Sequence, residues 1–117
     1  MRIGLIALLA LPAVAGSAAS FDCVKAATKV ERRICADATL SDLDLRLSLV
    51  YRQALAIAEL DEAEPKASQR AWIKRRNACA DSTCIGIAYR ERIIDLEDAL
   101  GQSLSADTVA GEYDTPD

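Results

Sequence analysis

Four cysteines in two close pairs constrain this 117-residue chain more than any other feature: 11 residues separate Cys23 from Cys35, and four separate Cys79 from Cys84. What such pairs do depends on the compartment, and the first residues speak to that. Met1-Arg2 is a short positive start, Ile3 to Val14 is apolar apart from Gly4 and Pro12, and Ala15 to Ser20 are all small. This is the pattern of a secretory leader, spanning 1–20, with cleavage expected after Ala19 or Ser20. The apolar run is shorter than the roughly 20 residues of a membrane-spanning helix, and no later run is longer, so stable membrane insertion is not expected. A lipid anchor would need small residues directly before its cysteine, whereas Ser20-Phe21-Asp22 precede Cys23. The expected product is periplasmic or secreted.

In an oxidising compartment, four cysteines point to two disulfides. Three connectivities are possible. The local one, Cys23 with Cys35 and Cys79 with Cys84, is favoured because each pair brackets a helix end or a turn. A redox pair or a four-thiolate metal site is the functional alternative, but neither pair has the C-x-x-C spacing. No metal and no cofactor are expected.

The chain has no histidine, which removes Ser-His and Cys-His catalytic pairs and most zinc sites. Acidic residues outnumber basic ones, 18 to 14, so nucleic acid is a disfavoured partner. The excess is local, however. Residues 102–117 hold Asp107, Glu112, Asp114 and Asp117 with no basic side chain, while residues 21–101 are nearly balanced, 13 basic against 14 acidic. The folded domain is expected over 21–101, and 102–117 as an acidic, disordered tail beyond a helix stop at Gly101.

Between these limits the pattern is helical throughout, with no period-2 stretch. The expected fold is all-α: a small disulfide-linked bundle of about four helices, one short, one long and two medium. The first spans about Thr28–Ala36. The second is capped at Ser41 in Ser41-Asp42-Leu43-Asp44 and reaches about Leu60. It carries a main stripe of Leu43, Leu47, Val50, Ala54 and Ile57 with Tyr51 at its edge, and a second stripe of Leu45, Leu49, Ala56 and Leu60. Two apolar faces mean a helix sandwiched between neighbours, the favoured reading, or one that shows a face to a partner. The third helix has Pro65 in its first turn and runs to about Cys79. Trp72 is expected as a core anchor, and Arg76 at the core edge paired with Glu31 or Asp44. The fourth follows the 81–84 turn with Ile85, Tyr89, Ile93, Leu96 and Leu100 in line. Arg70, Lys74, Arg75 and Arg76 read as a solvated face paired with Glu91, Asp95, Glu97 and Asp98.

An ordered series of motifs now carries a resemblance. Phe21-Asp22-Cys23, Val30-Glu31-Arg32-Arg33-Ile34-Cys35, Leu40-Ser41-Asp42-Leu43-Asp44 with Tyr51, Gln69-Arg70-Ala71-Trp72-Ile73-Lys74-Arg75-Arg76-Asn77-Ala78-Cys79, Cys84 and Tyr89-Arg90-Glu91-Arg92 together resemble the LprI-type lysozyme-inhibitor domain. The resemblance covers about 21–96. It implies a helical, disulfide-linked bacterial envelope domain, some of whose relatives inhibit lysozyme or related peptidoglycan hydrolases. The founding type is a lipoprotein, and the missing lipobox departs from it.

The implied partner is therefore a protein, lysozyme or a bacterial muramidase. Muramidases work with two carboxylates in a cleft, and an inhibitor need only cover that cleft. No catalytic residues are expected in this chain: Asp42 and Asp44, two apart on a helix, point about 200° away from each other and cannot converge on a glycosidic bond. The candidate contact is the acidic junction Glu59, Asp61, Glu62 and Glu64, which suits a basic groove. A solvated charged turn is the plainer explanation, and an envelope module docking through the second stripe of the long helix is the competing function.

Overall fold

The computed structural model describes Gly4, residues 19–58 and residues 61–112, with side chains as far as Gly101. Among the described residues there are four α-helices and no strand: α1 (Lys29–Ala36), α2 (Ala38–Ala58), α3 (Ala63–Asn77) and α4 (Ser82–Glu112), preceded by a 3-10 turn over Cys23–Lys25. The all-α bundle read from the sequence is correct, and the disulfides join Cys23 to Cys35 and Cys79 to Cys84.

Capping fixes where each helix begins. Thr28 Oγ1 accepts the Glu31 N–H at 3.0 Å, and Glu31 Oε2 accepts the Ala27 N–H at 3.3 Å, so Thr28-Lys29-Val30-Glu31 forms a capping box displaced by one residue. The box expected at Ser41 is not there. Asp37 caps α2 instead, its Oδ1 accepting from Leu40 N at 3.1 Å, so the cap lies four residues earlier. That shift turns Ser41 inward, where its hydroxyl donates to the Ile34 carbonyl at 2.7 Å. Asp37 is the whole link between α1 and α2, which forces α1 to fold back sharply. Asp81 caps α4 through Cys84 N at 2.8 Å, so Cys84 lies in the first turn of the helix rather than before it.

Helices α2 and α4 run side by side in the same direction: Leu40 lies near Gly86, Asp44 meets Tyr89, and Arg46 pairs with Glu97. Helix α3 returns against α4, setting Trp72 against Ala88 and Ser68 against Arg92. The core where they meet holds Ile34, Leu40, Leu47, Val50, Trp72, Ile85, Tyr89, Ile93 and Leu96. Each large apolar side chain buried there contributes about 1.5–3 kcal/mol. At Gly86 an added Cβ would lie 3.1 Å from the flexible end of Arg90 and in ordinary contact with Leu40 of α2 at 3.8 Å, so the approach of α2 does not itself require a glycine there.

Three expectations need correction. The second stripe of α2 is not sandwiched: Leu45 is 40% exposed and Leu49 51%, and Ile57 of the main stripe is also open. The α2 face is narrow because only α1, α3 and α4 are available to cover it. Gly101 does not stop α4, which continues as helical backbone to Glu112 through the segment expected to be disordered; an exposed helical glycine costs only about 1 kcal/mol against alanine. The α3 basic run does not pair with α4 acids. Among the described residues the ion pairs are Arg46–Glu97 at 2.7 Å and Lys66–Glu62 at 2.9 Å, because the α3 residues that face α4 are Trp72, Gln69 and Ser68. Of the leader expected over 1–20, all but Gly4, Ala19 and Ser20 lies outside the described residues, as do Glu59, Leu60 and 113–117.

Candidate functional site

The polar centre of the molecule is a relay through three helices. The Tyr89 hydroxyl on α4 donates to Asp44 Oδ1 on α2 at 2.7 Å and accepts from Arg76 Nη1 on α3 at 3.1 Å. Arg76 also donates from Nε and Nη2 to Asn77 Oδ1, and its guanidinium lies 5.5 Å from the centre of the Trp72 ring. Trp72 meets Tyr89 edge-on at 5.0 Å and donates from its indole nitrogen to the Ala88 carbonyl at 3.0 Å. Asp44, Trp72, Arg76 and Tyr89 are all buried. Trp72 is thus the core anchor read from its spacing, and Arg76 does approach Asp44. The direct ion pair is replaced by one that passes through the Tyr89 hydroxyl, since the phenol stands between them. Glu31 makes no bond to Arg76; its carboxylate is used at the α1 cap.

A second buried cation lies one turn further along α4. Arg92 donates to Gln69 Oε1 at 3.1 Å and to Ser68 Oγ at 2.9 Å. Burial pulls its guanidinium below the usual arginine value, and Asp95 pushes it back up. Arg92 carries no role in the sequence motifs. Its place 300° beyond Tyr89, beside the buried stripe, was the signal for it.

Burial pushes the Tyr89 hydroxyl well above the usual phenol value, the hydrogen bond to Asp44 adds to this, and Arg76 opposes it. The folded state therefore holds this proton more tightly than the unfolded chain, whose phenols titrate near pH 10. The stabilisation is complete below about pH 10 and is lost as the pH rises further. In an alkaline titration, one of the three tyrosines should ionise only as helical circular dichroism is lost. Tyr89→Phe should remove that coupled step and cost about 1–3 kcal/mol at neutral pH by stranding Asp44 and Arg76. A third phenolate appearing with full helicity retained would refute the relay.

A groove of about 410 Å³ opens over the relay between α2 and α3, lined by Tyr51, Gln69, Ile73 and Glu31, with Ser20 and Phe21 at one end. Tyr51 is half-buried at its edge. Asp42 is exposed while Asp44 is buried, so the two carboxylates sit in different environments and do not face a common point. The acidic junction is only partly free. Asp61 and Glu64 are exposed, but Glu62 is held by Lys66, whose ammonium is raised above its usual value by that hydrogen bond. Beside the junction, Ala54, Ile57, Leu96, Ala99 and Leu100 floor a hollow of about 320 Å³ rimmed by Glu64, Asp95 and Arg92.

These features define a disulfide-clamped helical domain that uses Ser41, Asp44, Arg76 and Arg92 in its own interior and exposes an acidic edge beside an apolar hollow as well as the basic run Arg70, Lys74 and Arg75. The chain belongs to the LprI lysozyme-inhibitor family, whose model, described as lysozyme inhibitor LprI, matches residues 23–100, from the first cysteine into α4. It is similar to the protein named lipoprotein LprI of Mycobacterium bovis and to those of two strains of Mycobacterium tuberculosis, each 42% identical over 81 residues. Those matches cover 66% of this chain and 40% of each relative, so the chain spans about two fifths of the length of the curated relatives it matches. No solved structure matches.

The residues that carry the resemblance now have physical roles. Ser41 ties α2 to α1, Asp44, Arg76 and Tyr89 form the relay, Trp72 fills the core, and Gln69 holds Arg92. These motifs specify the scaffold.

Proposed function

We propose that this protein is an exported inhibitor of lysozyme or of related bacterial muramidases, acting by covering the hydrolase rather than by chemistry of its own. The observation that carries the reading is the family match over residues 23–100. The contact we assign is the α2–α3 junction. Asp61 and Glu64 supply free negative charge for a basic groove, and the adjoining apolar hollow gives a docked side chain somewhere to be buried. Charge of this kind chiefly raises the association rate and depends on salt.

Export without a lipid anchor is part of the proposal. Cys23, Cys35, Cys79 and Cys84 are all in disulfides, and a lipid thioether needs a free thiol. The curated relatives are named lipoproteins; here Asp22 directly precedes Cys23.

A second reading, an envelope module that docks without inhibiting, is favoured by the open face of α2, where Leu45 and Leu49 lie in solvent. Turbidity assays on cell-wall suspensions, with hen lysozyme and with a bacterial muramidase, separate the two. The wild-type protein should slow at least one hydrolase. Replacing Glu59, Asp61, Glu62 and Glu64 with Gln or Asn should weaken that inhibition about tenfold at low salt and flatten its salt dependence, with helicity unchanged. Inhibition lost through Leu45→Glu and Leu49→Glu, but kept by the neutralised junction, would move the contact to α2. No slowing of either enzyme at large excess would reject the inhibitor reading.

A further inference from the structure

Asp44 is a buried carboxylate without a cation. It is 5% exposed, and among the described residues no lysine or arginine nitrogen lies within ion-pair distance of it. Arg76 reaches it only through the Tyr89 hydroxyl. Its second oxygen, Oδ2, accepts two bonds from one residue, the backbone nitrogen and the hydroxyl of Ser20, each at 2.6 Å. A buried ion with no counter-ion is strongly disfavoured, and Ser20 sits where the leader pattern ends.

We infer that leader removal cuts the Ala19–Ser20 bond and that the new Ser20 α-ammonium is the counter-ion of Asp44. Ser17 and Ala19 supply the small residues that a leader peptidase accepts at the third and first positions before the cut. Hydrolysis adds one water across the Ala19–Ser20 amide. Ala19 leaves with the leader as a carboxylate, and the Ser20 nitrogen becomes an amine, protonated near neutral pH. The atom that donates one amide hydrogen to Asp44 in the uncleaved chain then carries three hydrogens and a positive charge at the same place. Ser20 itself is exposed, so the hydrogens not used on Asp44 stay hydrated.

The segment is held for this contact. Phe21 packs against the core, Asp22 Oδ1 accepts the Val24 N–H at 3.0 Å, and Cys23 is bonded to Cys35 of α1. Processing therefore completes the buried relay, which runs from the amino terminus through Asp44 and Tyr89 to Arg76.

Intact-mass analysis of the exported protein should give a chain beginning at Ser20. A start at Phe21, or upstream of Ser20, would overturn the inference. Acetylating the α-amine should lower the thermal midpoint by about 5 °C in the wild type and by much less in Asp44→Asn; equal losses in both would refute the pairing. Because Asp44→Asn can fail to fold, the acylation rate of the α-amine provides a separate readout in the wild-type protein. It should be about tenfold slower in the folded chain than in urea, and equal rates would also refute the pairing.

Discussion

Trp72→Ala should destabilise the domain by about 3–5 kcal/mol, a large share of the roughly 5–15 kcal/mol that holds a domain of this size together. Three losses combine. The indole leaves a cavity where α3 meets α4, since Trp72 is among the most buried side chains of the core. The edge-on contact with Tyr89 at 5.0 Å disappears. Arg76 then loses the aromatic face 5.5 Å from its guanidinium and is left as a buried cation between Asn77 and a less constrained Tyr89. Trp72→Phe separates the terms: it keeps most of the ring and gives up the bond to the Ala88 carbonyl, for about 1–2 kcal/mol. Urea denaturation followed by circular dichroism measures both. A Trp72→Ala cost under about 1 kcal/mol would mean that the relay is not packed around the indole.

How much of this could be read in the sequence depended on the kind of interaction. Trp72, Tyr89 and Ile85 were legible because apolar periodicity reports burial directly. Asp44 was legible only as a possible partner of Arg76. The relay was not, because whether two charges touch or bridge through a third group depends on where three helices place their side chains, and Tyr89 counts as an apolar position in any pattern. Helix starts failed for a local reason: Asp37 and Ser41 are both competent caps, and the choice between them follows from turning Ser41 toward the Ile34 carbonyl. The open face of α2 was ambiguous in principle, since a stripe such as Leu45 and Leu49 looks the same whether or not a neighbour covers it. Of the candidate contact residues, Asp61 and Glu64 keep their free charge, but Glu62 is taken by Lys66. The i, i+4 spacing of that pair was a readable signal that the acidic junction alone did not bring out.

Removing the two disulfides should have unequal effects, in an order set by what each holds. On the chain-entropy model the Cys23–Cys35 loop is worth about 3 kcal/mol and the Cys79–Cys84 loop about 2 kcal/mol, so their joint loss approaches the whole stability of a small domain. Loop length is only part of the difference. The Cys79–Cys84 bond closes a turn between α3 and α4, which also hold each other through Trp72 and Arg92. The Cys23–Cys35 bond ties a segment with few other anchors to α1, and that segment carries Phe21 and Ser20 onto the core and onto Asp44. Cys23→Ser with Cys35→Ser should therefore cost more than its loop entropy and expose the relay to solvent. Cys79→Ser with Cys84→Ser should cost about its loop entropy and leave the relay intact. The alkaline titration of Tyr89 distinguishes the cases: because it is coupled to unfolding, its ionisation should come earlier in both double variants, and by more in the first than in the second. The reverse order of stabilities, or an unchanged Tyr89 titration in both, would show that the amino-terminal segment does not depend on its disulfide to close the core.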